Sequence, residues 1–381
     1  MRFLFTLFLL VLLAAAVGAA WLWYGITQPY QGFATEGIFV DVPHGASSRA
    51  VARQLQSDGV IPSALAFDLY ARRKRSRTVQ AGEYFFDHAA SARDVFWKLA
   101  KGEVYEQPFT VHEGDTMFDI AKELEKAKLM KPQEFLAAAG DPSLVRDIAP
   151  GAANLEGFLF PATYHLSRHP VGTELTTEMV RKFKVEWASI KSGDAATNAT
   201  ANAPATASSS EAGNAEVTDP RPVLTVVTLA SLVERETPRP EERPLVAGAF
   251  TNRLEKGMAL QCDPTVVYAM EREKKYRGSL LGKDLKFDSL YNTYEHAGLP
   301  PGPIANPGEA SLRAALQPAK TNYIYFVANT HGGHFFAATL AEHNRNVLKY
   351  RRLLSGGPEE EPPAVTVKTH AAGTRRKGGT R

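Results

Sequence analysis

Residues 3–24 form a continuous apolar run, broken only by Thr6 and closed by Trp21, Trp23 and Tyr24. At about 1.5 Å per residue, a helix of this length spans a hydrocarbon core of roughly 30 Å. The aromatic cluster suits the headgroup layer, where rings bury their bodies and wet their polar edges. Ala16, Gly18 and Ala20 would also suit a signal peptidase. The run is longer than a signal-peptide core, however, and bulky aromatics follow the small residues at once, so an uncleaved transmembrane helix is expected. Arg2 precedes the run, and no Lys or Arg follows it before Arg49. The positive-inside rule then leaves residues 1–2 in the cytoplasm and the body of the protein outside it.

A chain of 381 residues is long enough for two or three domains with cores of their own. Its single cysteine, Cys262, excludes a disulfide framework and a cysteine-built zinc site. Lys and Arg number 44 against 41 acidic residues, and a net charge of +3 is no nucleic-acid footprint. The fold class expected is α+β.

Residues 38–130 carry a weak internal repeat. Phe39-Val40-Asp41-Val42 leads through Gly45 into a helical pattern at Val51 and Leu55, and Phe109-Thr110-Val111 leads through Gly114 into Ile120, Ala121 and Leu124. Each half reads as a short alternating strand, a glycine turn and an N-capped amphipathic helix. Residues 82–86 read as another strand and residues 91–99 as another helix. These small lobes resemble LysM-like modules, which bind N-acetylglucosamine-containing glycans; a plain spacer from the membrane is the other reading. The basic run of Arg72, Arg73, Lys74, Arg75 and Arg77 is a solvated helix end or a contact for an anionic surface. Residues 193–218 are Ala, Thr, Asn, Ser and Gly with almost no large apolar side chains, and residues 355–381 form a charged tail; both are expected to be disordered.

The segment from Val223 to Glu236 is an almost wholly apolar helix ending in two carboxylates, Glu234 and Glu236. Two residues apart is about 200° around a helix, so only one can enter a given pocket. A carboxyl desolvated there would have its pKa raised, as a general acid near neutral pH requires; pairing of both with Arg235, Arg239, Arg243 or Arg253 is the competing reading. Downstream, polar residues alternate with aromatics and stiff turns, in a pattern that suits a sugar groove or an ordinary capped core. His331, His334 and His343 lack the spacing of a metal site, Ser231 lacks a nucleophile elbow, and no glycine-rich phosphate loop is present, so neither metal nor cofactor is expected.

Five ordered motifs share one resemblance. They are residues 229–237, Asn252-Arg253-Leu254, Leu260-Gln261-Cys262-Asp263-Pro264-Thr265-Val266, Tyr291-Asn292-Thr293-Tyr294 and Gly298-Leu299-Pro300-Pro301-Gly302, with residues 154–164 ahead of them. Together they resemble the endolytic murein transglycosylase (YceG-like) family over roughly residues 38–352. The resemblance implies a mixed α+β catalytic domain at 131–192 and 219–352, interrupted by the insertion. It implies a lyase of the bacterial cell membrane that acts on peptidoglycan glycan strands. The MurNAc–GlcNAc β-1,4 bond would be cut without water, leaving 1,6-anhydro-MurNAc ends and terminating nascent strands beside peptidoglycan synthases and division proteins. The catalytic acid implied is Glu236, with Glu234 in reserve. Gln261, Asp263, Asn292, Tyr294 and Asn306 are candidates for holding sugar hydroxyls or orienting the acid. Cys262 is assigned no chemical role. A non-catalytic peptidoglycan-binding scaffold, or a hydrolytic muramidase using Asp263 as second carboxylate, are the alternatives.

Overall fold

A computed structural model describes residues 2–74, 77–192 and 221–356. The expected insertion at 193–218, all but the first residues of the expected tail, and Arg75 of the basic run lie outside the described residues. The chain is a mixed α+β protein of helices and two-stranded antiparallel sheets. It divides into two compact units, residues 1–144 with 159–182, and residues 145–158 with 183–381.

The first unit opens with α1 (Arg2–Thr27). Eighteen consecutive residues within its stretch Leu4–Thr27 reach a mean hydropathy of 2.4, and the helix is long and apolar enough to cross a membrane. A short strand β1 (Pro29–Tyr30) follows. The first lobe is β2 (Ile38–Val42), α2 (Ser48–Ser57), α3 (Ala64–Arg73) and β3 (Gly82–Phe86), with β2 and β3 antiparallel from Ile38↔Phe86 to Val42↔Gly82. Ser47 and Ser63 cap the two helices by accepting from Ala50 N and Ala66 N. Alternation along the strands sends Val40, Val42, Tyr84 and Phe86 into one core with Leu55 and Phe67. Strand β4 (Ala90–Ser91) pairs with β1 and runs into α4 (Ala92–Lys101), which adds Phe96 and Leu99 to that core.

The second lobe repeats the order strand, helix, helix, strand: β5 (Gln107–Thr110), α5 (Met117–Lys126), α6 (Pro132–Ala139) and β6 (Thr163–Leu166). Thr116 and Asp119 form a reciprocal capping box on α5. Strand β6 pairs antiparallel with β5, from Gln107↔Leu166 to Thr110↔Thr163. This lobe's sheet is thus completed by residues well beyond the expected limit at 130. Helix α7 (Gly172–Ser192) contributes its first residues to this unit and its last to the second.

The second unit is built on α8 (Val223–Glu236), whose Val226, Val227, Leu229, Leu232 and Val233 are buried as its all-round apolar pattern predicts. Around it pack α9 (Arg243–Glu255), α10 (Asp263–Arg272) and α11 (Glu309–Leu316). The hairpin β7 (Tyr325–Ala328) and β8 (His334–Ala337) runs in register from Tyr325↔Ala337 to Ala328↔His334, and α12 (Leu340–Leu354) lies against it. Aromatic residues on both strands flank the turn at residues 329–333.

Candidate active site

Helix α8 ends in the two glutamates, and they meet opposite fates. Glu234 turns to the interior, with its side chain only 4% exposed. Its Oε1 accepts from Arg243 Nη2 at 2.7 Å, and its Oε2 accepts from the Gly308 amide at 2.9 Å. Both oxygens therefore hold structure. Of the pairing partners weighed for the two glutamates, Arg243 is the one that takes Glu234.

Glu236 has a different environment. It is partly accessible, and the Cys262 thiol is hydrogen-bonded to its carboxylate. Burial raises its pKa above the ordinary carboxylate value. The Cys262 bond and the charges of His334 and Arg253 pull it down, while Asp263 pushes it up, and desolvation prevails. The thiol itself is pushed well up by its own burial and by the Glu236 charge, so it stays protonated and donates. A residue expected to do nothing thus touches the candidate acid.

Two of the motifs form the wall that carries Cys262. The Cys262 amide donates to Thr293 Oγ1 at 3.0 Å, Thr265 Oγ1 donates to Cys262 O at 2.7 Å, and the hydroxyls of Thr265 and Thr293 lie 3.0 Å apart. Gln261 adopts φ +52°, a left-handed conformation that costs a non-glycine residue energy. Its amide is held by Thr293 O at 3.1 Å, and its side chain is exposed. Pro264 in the first turn of α10 needs no amide partner. Asp263, exposed, accepts from Tyr294 Oη at 2.5 Å. Burial, then the Asp263 bond and charge, push the Tyr294 phenol well up, so it too remains a donor.

Asn292 and Asn306 require a correction. Neither has accessible surface, and both spend their amides inside the protein. Asn292 Nδ2 donates to Leu285 O and Phe287 O, and its Oδ1 accepts from the Tyr294 amide. Asn306 Nδ2 donates to Glu156 Oε1, and its Oδ1 accepts from the Gly157 amide. They hold loops, and sugar hydroxyls do not reach them. Gly157 has φ +87°, and a Cβ there would meet Pro303 at 2.5 Å, so only glycine permits this bracket. With Ser231 Oγ accepting from Ile304 N at 3.0 Å, the loop 303–308 is pinned at three points.

The hairpin brings His334, whose charge acts on Glu236, to the site. His334 places Nδ1 2.7 Å from Glu242 Oε2, while its amide donates to Glu242 Oε1 at 2.9 Å. Glu242 also accepts from Thr237 Oγ1, the residue after Glu236, at 3.2 Å. Burial alone would raise Glu242; the His334 and Thr237 bonds hold it below the ordinary range. A Cβ on Gly333 would fall 2.2 Å from Glu242, which explains that glycine. Arg253 donates to Ile324 O and Leu260 O at 2.6 and 2.7 Å, tying α9 to the hairpin and to the Cys262 wall. His334 and Glu242 were not singled out from sequence for this site, whereas Arg253, weighed there as a partner of the two glutamates, acts on Glu236 through its charge. The three histidines seen there serve apart: His334 on Glu242, His343 stacked on Tyr325, His331 through its carbonyl on Arg239. Among the described residues no group of three His, Cys, Asp or Glu could hold a metal ion.

Chemically this is one carboxyl kept inclined to its neutral form, influenced by a thiol donor, a histidine and Asp263, with Tyr294 near enough to feel its charge. A model of the YceG-like family matches residues 40–349. The endolytic murein transglycosylase of Bacillus subtilis is 33% identical over 352 residues, covering 88% of this chain and 91% of that protein. The protein of the same name from Streptococcus pneumoniae is 28% identical over 346 residues, covering 82% of this chain and 58% of that longer protein. A crystal structure of a YceG-like protein from Listeria monocytogenes aligns with TM-score 0.51 and 29% identity, covering 82% of this chain and 99% of that one.

Proposed function

The chain belongs to the YceG-like family, and from that premise we propose that it is an endolytic murein transglycosylase with Glu236 as its one catalytic acid. It is a lyase that cuts the MurNAc–GlcNAc β-1,4 bond of peptidoglycan without water. The observation that carries the reading is the raised pKa of a partly accessible carboxyl at the end of a core helix. Neutral Glu236 gives its proton to the glycosidic oxygen as the C1–O bond breaks, releasing the GlcNAc O4 as a hydroxyl. The resulting carboxylate takes the proton of the MurNAc C6 hydroxyl as O6 closes on C1, and the acid is restored. The sugar supplies its own nucleophile, so a second catalytic carboxylate is not required, unlike the paired carboxylates of most glycosidases. The protonated Cys262 thiol and the charge of His334 support the ionised intermediate state of Glu236. Asp263, Tyr294 and Gln261 are the accessible groups suited to sugar hydroxyls.

The remaining parts of the proposal follow the same chemistry. The span in α1 anchors the protein, with the amino terminus cytoplasmic and the two units outside the membrane. The repeated strand–helix–helix–strand lobes support a LysM-like grip on the glycan, and strand termination beside peptidoglycan synthases and division proteins is the role this suits. Digestion of purified peptidoglycan with the full-length protein tests the reaction. Mass spectrometry should find new glycan ends lighter by one water than reducing ends; reducing ends would make it a muramidase, and no new ends a binding scaffold.

A further inference from the structure

The basic run at the end of α3 lies beside something the catalytic reading leaves unused. Helix α3 buries Phe67 and Ala71 in the first lobe, yet Leu65 is 58% and Leu69 45% exposed. At about 100° per residue, Leu65, Leu69, Arg72 and Arg73 fall within one arc of roughly 100°, opposite the buried face. The stripe is apolar at one end and basic at the other. Arg72 is shared with Asp68 at 2.9 Å, and Lys74 sits over the Tyr70 and Trp97 rings. Arg73 and Arg77 have no acidic partner among the described residues and are exposed. Asp68, the acidic residue of α3, is buried among Ser48, Arg49 and Arg72 and presents no charge of its own to this face.

The position of this stripe in the fold identifies its partner. Helix α1 packs against α3, with Ala66 Cβ 3.6 Å from where a Cβ on Gly25 would stand. Counted from Leu4, a hydrocarbon core takes about twenty residues, which ends at the exposed Trp21, Trp23 and Tyr24. Gly25, and with it Ala66 of α3, is then level with the lipid headgroups. The leucine stripe adjoins Ala66 on that helix. We propose that α3 is a second, interfacial membrane contact: Leu65 and Leu69 dip into the bilayer surface beside the span, and Arg72 and Arg73 take the phosphates of anionic lipids. This rests on the reading of α1 as a membrane span. Exposed leucines at i and i+4 with arginines one turn on are the arrangement of a helix lying in a headgroup layer. Continuity with α1 makes that layer the occupant, ahead of a protein partner.

Single cysteines carrying an environment-sensitive fluorophore test it in the full chain reconstituted in vesicles, since Cys262 is 1% exposed and stays unlabelled. Leu69→Cys should report a blue-shifted emission that spin-labelled lipids quench, more in vesicles containing phosphatidylglycerol than in pure phosphatidylcholine. Lys122→Cys, exposed on α5, should remain water-like, and Trp21→Cys should be quenched in both lipids. Adding Arg73→Glu should remove the phosphatidylglycerol preference at position 69. A water-like probe at 69 with a quenched probe at 21 overturns the proposal while leaving the anchor standing, and a protein partner would then be the occupant to seek. Equal quenching at 69 in both lipids overturns the anionic part. An unquenched probe at 21 removes the anchor reading and the proposal with it.

Discussion

A carboxyl at the end of an apolar helix can be satisfied by a fixed partner or left with a raised pKa, and α8 displays both within one turn. Glu234 has Arg243 and the Gly308 amide; Glu236 has a thiol, a weak donor, and burial that outweighs its favourable neighbours. The difference makes Glu236 costly to the fold when ionised. Its folded pKa lies above the unfolded one, so the native state binds the proton more tightly, and stability falls as pH rises from about the unfolded value through the folded one. Glu236→Gln should therefore raise the melting temperature at pH 8 and have little effect near pH 4. Each kcal/mol relieved is worth about 2–4 °C for a unit of this size. Scanning calorimetry at both pH values checks this, and an equal effect at both would contradict it. Cys262 carries the second expectation at this scale. A hydroxyl donates more strongly than a thiol, so Cys262→Ser should steady the carboxylate and make Glu236 a stronger acid. The alkaline limb of the kcat/KM profile, where the acid loses its proton, should move to lower pH; an unmoved limb would mean the thiol does not tune the acid.

Among the elements, the loop 303–308 shows most plainly what a pattern can and cannot convey. Its prolines and glycines mark a stiff loop, and its polar residues read as ligand contacts. Asn306 instead closes a bracket with Glu156 and Gly157, residues about 150 positions earlier in the chain. A buried amide and a sugar-binding amide look alike in one dimension, because only the partner's position separates them. The same holds for Asn292, and for Cys262, whose contact with Glu236 depends on the clasp of Thr265 and Thr293. By contrast α8 and the helix caps at Ser47 and Thr116 rest on local periodicity and turn chemistry, and these were legible. The clamp makes its own prediction. Removing the charge of Glu234 strands a buried Arg243, a loss of about 3 kcal/mol or more. Glu234→Gln should lower the urea midpoint accordingly, and adding Arg243→Met should recover part of it. Full additivity of the two substitutions would contradict the pairing.

At the scale of the molecule, the order of apolar helix, repeated lobes and α8-centred unit could be read from composition and repeats. The closure of the second lobe could not. Strand β6 lies in the stretch 131–192 expected to belong to the catalytic domain, yet it pairs with β5 more than fifty residues away, and pairing at that range leaves no local mark. The chain is thus a near-neutral member of the YceG-like family whose first helix is long and apolar enough to cross a membrane, and the proposal that its glycan chemistry falls to one carboxyl is what experiment must reach. Peptidoglycan digested with the wild type, Glu234→Gln and Glu236→Gln, each first shown to be folded, should be compared by mass spectrometry of the released ends. Anhydro ends are expected from the wild type and from the folded Glu234→Gln protein, with at least about a 10²-fold loss in Glu236→Gln. Anhydro ends undiminished in Glu236→Gln, or lost in Glu234→Gln alone, would contradict the account.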